Sequence, residues 1–521
     1  MTSLLQTLKN LPAKKIQWLM VCLAVVIAAQ IQYIQHGWIN RDSLYYLESA
    51  RLLALGEWKQ AVKLFQWPFY SALIAALHKL TTLNIHLCAQ MLSVGLFGIA
   101  TYSFLTIIQL AGGGKKELLA GSLILFSSNY MVGDVLAMLM RDQGFWALFL
   151  TSIVFFIRYY KSGTYKDALF WQLSAIVATL FRIEGITYLL VLPLILLFIK
   201  EYPITLRIGN FLRCNFINIM VVAIITAILL TSQDMSMQNF GRLNEIFTVN
   251  FYHEFTQTIT QRSAIMSDQV LGRYLNEYAI QGILLIFLYI IVVKIVLATG
   301  IISTGLAVSA LLSQKIHMDA ATLNVLKTTA IISFVNMYLI ITKVFVLSGR
   351  YVLALSLILM IFASFYLSHL LRYLHNSDKR KKWMVIILVA IMLLGVIKNV
   401  RPKEPDSDYS QSAVTWLKQH NTAGKPVFYD DSRIRYYAGA PYAGNWYDNW
   451  KMVTDAIANN TINNYDFLII SHSALYPERE KLIAEKLKQY HEVKRYFGPK
   501  SKKSIVIYER SIRVNGDSDP N

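Results

Sequence analysis

Two carboxylates stand beside arginines at places where the chain borders long apolar segments. Arg41 and Asp42 follow the first apolar segment, in the stretch GWINRDSLYYLESARLLALGEW, and Arg141 and Asp142 precede a later one. A carboxylate can act as a general base toward a hydroxyl group, and a guanidinium group can stabilise negative charge on a phosphate. These residue types therefore indicate a general base beside a lipid phosphate site.

A helical pattern follows Asp42. Asp42, Tyr45, Tyr46, Ser49 and Leu53 recur at spacings that place them on one face of a helix. In the functional interpretation Asp42 is the base, and the two tyrosines line the path of a sugar or of a lipid phosphate. The structural alternative is that Asp42 is the N-cap of the helix and that the tyrosines belong to an aromatic belt at the membrane interface.

Other ionisable residues lie at the ends of later apolar segments, where they are costly and therefore indicate function. Arg182 and Glu184 mark one turn, and Lys343 and Arg350 end another segment. A continuous helix places Lys343 and Arg350 on one stripe, where we expect both to contact a phosphate. The alternatives are arginines that extend to the interface, a simple Arg182–Glu184 pair and, for Asp142, a helix cap.

The composition predicts that an integral membrane protein positions these residues. Of the 521 residues, 55% are hydrophobic and only 16% are charged, and the mean hydropathy is +0.42. A soluble domain cannot bury so much apolar surface. The net charge of +19 is explained by basic residues in cytoplasmic loops, and no separate basic module indicates nucleic-acid binding.

Eleven apolar segments approach the roughly 20 residues that cross a bilayer. They lie near 16–35, 87–110, 117–133, 143–160, 168–182, 186–200, 216–231, 279–299, 326–347, 351–370 and 384–398. The two segments on either side of Arg182 are short and form a single hairpin in an alternative interpretation. The region 300–325 is a candidate for a further segment.

Basic residues predict the orientation. With eleven spans and a cytoplasmic N-terminus, the basic clusters all fall inside, as the positive-inside rule requires; they are Lys9, Lys14 and Lys15; Lys115 and Lys116; Arg158, Lys161 and Lys166; Lys200, Arg207 and Arg213; and Arg372 with Lys379–Lys382. Segments 36–86, 232–278 and 399–521 are then outside. We favour a retained first span over the alternative of a cleaved signal peptide, because its apolar character continues to Ile34.

The chain after Arg401 changes character and predicts a small α/β domain outside the membrane. The stretches KPVFYDD, YDFLIIS and KSIVIYE are typical of strands, and SAVTWLKQH and EREKLIAEKLKQY are typical of helices. The predicted fold is thus mainly α: a polytopic helical bundle at 1–400, with its first outer loop at 36–86, and a C-terminal α/β domain at 401–521.

Three stretches of the N-terminal half resemble the C-type membrane glycosyltransferases, closest to the branch of protein O-mannosyltransferases and lipid A aminoarabinose transferases. They are RDSLYYLESARLLALGEW, WPFYSALIAAL and RDQGFWALFLTSIVFF, and weaker likeness continues in LFRIEGITYLL and SGRYVLALSL. The likeness covers residues 1 to about 200, and the rest agrees only in layout. It departs from the family at Ser43, where better-known members often have a second acid.

The resemblance implies an inverting enzyme that moves a sugar from a polyprenyl-phosphate donor to a glycan, lipid or protein acceptor at the outer face of a bacterial inner membrane. It implies Asp42 as general base and Asp142 as a supporting acid. Tyr45, Tyr46, Arg182, Glu184, Lys343 and Arg350 are the expected substrate-binding residues. No cofactor is expected, although a divalent cation stays open as an alternative, and the sequence shows no metal-ligand spacing.

Two other classes of protein are alternatives to the enzyme. A transporter or flippase of lipid-linked glycans also needs cations for phosphates, but it predicts charges through the membrane depth and interrupted spans. A scaffold whose outer domain binds a partner leaves Lys343 and the Asp42 segment unexplained. The concentration of charges near one side of the predicted membrane domain favours the enzyme.

Overall fold

The computed structural model describes residues 11–35, 37–231, 251–313, 315–375, 378–401, 408–444, 449–498 and 501–511. Lys9 of the predicted cytoplasmic cluster and positions 232–250 of the predicted outer segment 232–278 lie outside these ranges. The chain forms two compact units. One comprises Met1–Tyr33 with Leu52–Arg401, and the other comprises Ile34–Arg51 with Pro402–Asn521.

The first unit is helical. Its α-helices, together with the helix that links it to the second unit (α2), are α1 (Ala13–Ile34), α2 (Arg41–Ala54), α3 (Trp58–Leu64), α4 (Phe69–Thr81), α5 (Ile85–Leu110), α6 (Lys115–Ser127), α7 (Asp142–Ser162), α8 (Tyr165–Phe181), α9 (Gly185–Val191), α10 (Ile204–Cys214), α11 (Phe216–Thr231), α12 (Phe251–Met266), α13 (Ala279–Thr299), α14 (Ile301–Leu312), α15 (Ala320–Val344), α16 (Gly349–Leu371) and α17 (Lys379–Val400). Shorter π- or 3₁₀-helical pieces are Asn129–Val135, Leu192–Phe198, Ser267–Leu271, Asn276–Tyr278 and Arg372–His375.

Six helices in the described ranges are long and apolar enough to cross a membrane: α1, α5, Asn276–Thr299, α15, Gly349–Leu374 and α17. The number rises to eight if two bent pairs are single spans, namely Lys115–Ser127 with Asn129–Val135, bent by 50°, and Ile204–Cys214 with Phe216–Ile224, bent by 62°. These helices support an integral membrane protein. The eleven predicted spans are not confirmed.

Two of the predicted spans are short in the structure. The segment predicted at 168–182 is α8, which has 17 residues. The segment predicted at 186–200 is the seven-residue α9, followed by a 3₁₀ stretch that contains Pro193. Proline has no N–H to donate within a helix, and a helix that crosses about 30 Å of hydrocarbon needs roughly 20 residues. The apolar pattern alone did not reveal these breaks.

Close helix packing forms the core of the first unit. Helix α7 packs against α5 and α8, and α16 packs against α14, α6 and α13. Helix α16 is the most enclosed of the six apolar helices, because most of its residues are buried. Its first residue, Gly349, contacts Tyr130, which lies just after the bend between α6 and Asn129–Val135.

The second unit contains a four-stranded sheet with the order β1-β2-β4-β3, formed by β1 (Val427–Tyr429), β2 (Phe467–Ser473), β3 (Tyr490–Phe497) and β4 (Lys503–Arg510). Strands β1 and β2 are parallel, and the other two pairs are antiparallel. Its helices are α18 (Tyr409–His420), α19 (Ser432–Ala438), α20 (Asn449–Ala458) and α21 (Pro477–Lys486), with a 3₁₀ turn at Thr461–Asn464.

Alternating side chains of the sheet build two cores. Ile469 and Ile507 pack with Leu417 of α18 on one face. Ile470 and Val506 pack with Ile483 of α21 on the other. Successive side chains of a strand point to opposite faces, so this sheet is buried on both sides by helices. The small α/β arrangement expected at the C-terminal end is present.

Candidate functional site

A buried cluster of charges lies where α7 and α16 begin and where α8 ends. The Asp142 side chain is 2% exposed and forms an ion pair with Arg182, whose side chain is 6% exposed. Arg182 also donates to both carboxylate oxygens of Glu184, at 3.3 and 3.1 Å. Arg350 approaches the other oxygen of Asp142, with Nη1 at 3.9 Å from Oδ2. Of the six predicted substrate-binding residues, Arg182 and Arg350 thus approach Asp142 directly, and Glu184 joins the cluster through Arg182.

Burial decides between the alternatives for Arg182 and Asp142. Arg182 does not extend to an interface, because its guanidinium group is enclosed and lies over the ring of Tyr351, 4.4 Å from the ring centroid. Asp142 lies in the first turn of α7 rather than at its N-cap, which Arg141 occupies. The simple pair of Arg182 with Glu184 exists, as part of this larger cluster.

Helices α7 and α8 pack closely, and this brings the side chains of Asp142 and Arg182 within reach of each other. Gly144 lies in the first turn of α7, and a Cβ atom there would overlap the ring of Phe181 at the end of α8. The next residue, Arg182, leaves the helix in an extended conformation that turns its side chain toward the cluster. The small residue at 144 therefore sets the spacing between the two helices.

Replacement of Gly144 with alanine is expected to destabilise the protein by about 1–3 kcal/mol, the usual cost of overpacking a filled interior. The added methyl group must displace Phe181 and with it Arg182. Thermal unfolding of the purified protein in detergent measures the effect. Gly209 offers the matched control, because a Cβ atom there meets nothing within 4 Å. Equal stability of Gly144→Ala and Gly209→Ala contradicts the prediction.

Arg141, which precedes Asp142 in the sequence, belongs to this region although it was not among the expected substrate-binding residues. Its guanidinium carbon lies 5.5 Å from the centroid of the Phe65 ring. Its Nη1 atom is buried and has no hydrogen-bond partner within the part of the chain that the structure describes, and neither does Nε1 of Trp67. Buried N–H groups normally have an acceptor, so these donors indicate room for a bound acceptor. Adjacency to Asp142 was the one available signal for Arg141.

The predicted common stripe of Lys343 and Arg350 is wrong. Helix α15 ends at Val344, Phe345 adopts a left-handed conformation with φ of 56°, and α16 begins only at Gly349. A left-handed residue cannot continue a right-handed helix. The seven-residue spacing therefore crosses a helix break, and the periodicity argument does not apply.

Lys343 and Arg350 have different surroundings. Lys343 is exposed and lines a groove of about 320 Å³ with Phe255, Gln257, Thr258, Gln261, Leu339 and Thr342. Arg350 approaches Asp142 and also donates to the sulfur of Met140 at 3.0 Å. The expectation that both cations contact one phosphate rested on a continuous helix, so the structure removes that argument for it.

The break before α16 lies beside the bend between α6 and the π-helical piece that follows it. Tyr130 belongs to the π-helical piece Asn129–Val135, and its ring packs so closely on Gly349 that a Cβ atom there would overlap it. Ser348 hydrogen-bonds to the Tyr130 side chain. The break before α16 and the bend after α6 thus lie together beside Arg350. The contact between Tyr130 and residue 349 is possible because glycine has no side chain.

Asp42 lies in the first turn of α2, in the second compact unit. The helix begins at Arg41, and the preceding Asn40 accepts a hydrogen bond from the Ser43 hydroxyl, so Asp42 is inside the helix rather than at its cap. Burial and the neighbouring Asp42 carboxylate raise the pKa of Tyr45, which is therefore a neutral phenol near pH 7. Tyr46 is 5% exposed and contributes to the core, whereas Tyr45 keeps accessible surface.

Two acids follow β1 at its carboxyl end. Burial raises the pKa of Asp430 from 3.8 to about 7, and the charge of Asp431 adds to the rise, against hydrogen bonds from the Ser471 N–H and hydroxyl. Burial also opposes ionisation of Asp431, but Arg433 and Arg41 outweigh it and lower its pKa to about 2. One acid of the pair thus takes up a proton near neutral pH, and the other stays charged.

The raised pKa of Asp430 predicts a pH-dependent effect of its replacement. The folded protein holds a proton that the unfolded chain releases. Asp430 therefore contributes to the free energy of unfolding below pH 3.8, and this contribution is lost as the pH rises through 7. The free energy of unfolding of Asp430→Asn, relative to that of the wild type, should rise by about 2–3 kcal/mol between pH 5 and pH 8. Hydrogen exchange of the β2 amides in both proteins measures this, and a constant difference contradicts it.

The first-unit cluster combines negative and positive groups without a metal site. Among the described residues, no three His, Cys, Asp or Glu side chains are arranged to hold a metal ion. The chemistry available is anion binding by guanidinium groups and proton transfer by a carboxylate. No known family model matches the chain, and no curated protein matches it. The resemblance to C-type glycosyltransferases therefore rests on the sequence motifs.

Proposed function

We propose that the protein is a glycosyltransferase that moves a sugar from a polyprenyl-phosphate donor to a hydroxyl acceptor. The acceptor is a glycan, a lipid or a protein, and membrane lipid surrounds the enzyme. In this proposal the N-terminus is cytoplasmic, and the reaction takes place at the outer, periplasmic face of a bacterial inner membrane. The basic loops and the apolar helices support this arrangement.

The observation that carries the proposal is a buried arginine donor beside a cluster of charges. The buried Nη1 of Arg141 lacks an acceptor among the described residues. The next residue, Asp142, pairs with Arg182 and lies 3.9 Å from Arg350. A phosphate oxygen supplies the acceptor in this proposal, because charge-assisted hydrogen bonds from arginine to phosphate are short and strong.

The proposed chemistry is a single displacement. The acceptor oxygen attacks the anomeric carbon, its proton passes to Asp42, and the bond from that carbon to the phosphate oxygen breaks. The polyprenyl phosphate leaves with the bonding electron pair, and the configuration of the sugar inverts. Guanidinium groups of the cluster stabilise the charge that develops on the phosphate. Arg182 and Glu184 position Asp142, and Tyr45 offers a neutral phenol to the sugar.

The phosphate site predicts a specific loss of lipid binding. Arg141→Gln removes the unsatisfied guanidinium donor and is expected to weaken retention of undecaprenyl phosphate by about 1.5–3 kcal/mol, roughly 10- to 100-fold. Native mass spectrometry of the purified protein with added undecaprenyl phosphate measures the retained lipid. Lys343→Gln removes one positive charge at an exposed position in a groove and is the matched control. Unchanged retention in Arg141→Gln, or an equal loss in Lys343→Gln, contradicts the assignment.

A flippase for lipid-linked glycans is the second candidate, and one observation favours it. Two helical interruptions meet where Tyr130 contacts Gly349, and interrupted spans are typical of substrate sites in transporters. A flippase moves the donor without breaking the bond from sugar to phosphate. Proteoliposomes with fluorescent donor and no acceptor distinguish the two, because rapid exchange between leaflets is expected of the flippase alone.

A further inference from the structure

The helix that carries Asp42 belongs to the same compact unit as the C-terminal α/β domain. Residues Ile34–Arg51 group with Pro402–Asn521, although some 390 positions separate the contacting residues in sequence. Nη2 of Arg41 donates to Oδ2 of Asp431 at 2.8 Å and to Oδ1 of Asn449 at 3.1 Å. Arg41 is the first residue of α2, so the bonds act on the turn that contains Asp42.

The carboxylate that receives Arg41 is rigidly held. Asp431 follows β1, and its side chain is 3% exposed. Its Oδ1 atom accepts from the backbone N–H of Arg433 at 2.7 Å and so caps α19. The side chains of Arg433 and Asn449 donate to Oδ2 at 3.3 and 3.2 Å. A carboxylate fixed by these bonds is a defined anchor for the guanidinium group of Arg41.

A second tether holds the chain immediately before the helix. The backbone N–H of Ile39 donates to the hydroxyl of Tyr437 at 3.0 Å, and that hydroxyl donates to Asp408 at 3.0 Å. Tyr437 and Asp431 lie at opposite ends of the short helix α19. One element of the C-terminal domain therefore fixes both the backbone that enters α2 and its first side chain.

We propose that Asp431 is a positioning residue, which orients the first turn of α2 and the base Asp42 through Arg41. This inference rests on the proposed function for the role of Asp42, while the tether itself is independent of it. A misplacement of about 1 Å in a reacting group costs up to roughly 10²-fold in rate. The C-terminal domain then contributes to catalysis without contacting the sugar donor.

The test uses the full-length protein in nanodiscs. Asp431→Asn keeps an N-cap for α19 but removes the charge that holds Arg41. It is expected to speed hydrogen exchange in peptides covering Tyr45–Ala50 about tenfold and to lower kcat about tenfold, with the donor KM unchanged. Lys425→Gln is the matched control, because it removes a cation that pairs with Glu509 in the same domain and should leave both quantities near the wild type.

Coupling separates positioning from general destabilisation. The double variant Arg41→Gln with Asp431→Asn should be no worse in kcat than either single variant, because both remove one interaction. Additive losses, wild-type exchange in Asp431→Asn, or equal effects of Lys425→Gln overturn the inference. If the wild type transfers no sugar, the proposed function fails, and the exchange measurement alone decides whether Asp431 holds the helix.

Discussion

Replacement of Asp42 with asparagine is expected to lower the rate of glycosyl transfer by about 10²–10⁴-fold, the usual contribution of a general base. The amide has nearly the same shape as the carboxylate but cannot take the acceptor proton. The structure places Asp42 inside the first turn of α2, after Asn40, so loss of a helix cap does not explain a fall in rate. The melting temperature is expected to stay close to that of the wild type.

Glu48→Gln is the matched control for this measurement. Glu48 lies on the same helix and forms an ion pair with Arg51; the Arg51 side chain is 50% exposed and the Glu48 side chain 15% exposed. Exposed pairs of this kind contribute about 0–1 kcal/mol, and this one has no proposed part in the reaction. Transfer rates of purified Asp42→Asn and Glu48→Gln are compared in the same lipid. Near-normal transfer by Asp42→Asn would contradict the assignment of Asp42 as the base and would favour a purely structural role for this residue.

The second large effect is expected on stability. Arg182→Ala leaves Asp142 and Glu184 buried without their main cation, and removal of one partner from a buried ion pair costs about 3–5 kcal/mol. Unfolding of the purified protein by sodium dodecyl sulfate in mixed micelles measures the loss. Arg51→Ala removes a surface partner and should cost less than about 1 kcal/mol. Similar losses for the two variants contradict the buried cluster.

The same burial changes the expectation for Asp142. From the sequence alone, an Asp142 variant should lose turnover and keep its fold. In the structure the Asp142 side chain is 2% exposed and pairs with Arg182, so its removal leaves the buried guanidinium group with one of these two carboxylates, Glu184. Asp142→Asn, which keeps hydrogen bonding, is the more informative variant, and its stability must be measured beside its rate.

Local patterns of the sequence predicted the helical character, the small sheet and most of the charged cluster. Apolar segments indicate spans because hydrocarbon requires them, and charges at their ends indicate function because burial is costly. Strand β3 was missed, since its His491, Glu492, Lys494 and Arg495 lack the apolar alternation of a half-buried strand. It is an edge strand, where charged side chains are common.

Features that depend on distant contacts were not predictable in this way. No local signal announces the left-handed conformation of Phe345, which carries neither the glycine nor the proline of a usual helix break. No periodicity links Arg41 to Asp431, because their pairing depends on the folding of a domain far along the chain. The charge and position of these residues in the sequence identified them as candidates, whereas the contacts among them are visible only in the folded chain.

Release of sugar from a lipid donor tests directly whether the protein is a glycosyltransferase. Wild-type protein in proteoliposomes is given a polyprenyl-phosphate sugar labelled in the sugar, together with membrane extract as a source of acceptor, and extraction separates the donor from transferred label. Transferred label and equimolar free polyprenyl phosphate are expected with the wild type, and both are expected to form at least about 10²-fold more slowly with Asp42→Asn. Labelled donor that stays intact while it crosses the bilayer would contradict the enzyme and support the flippase.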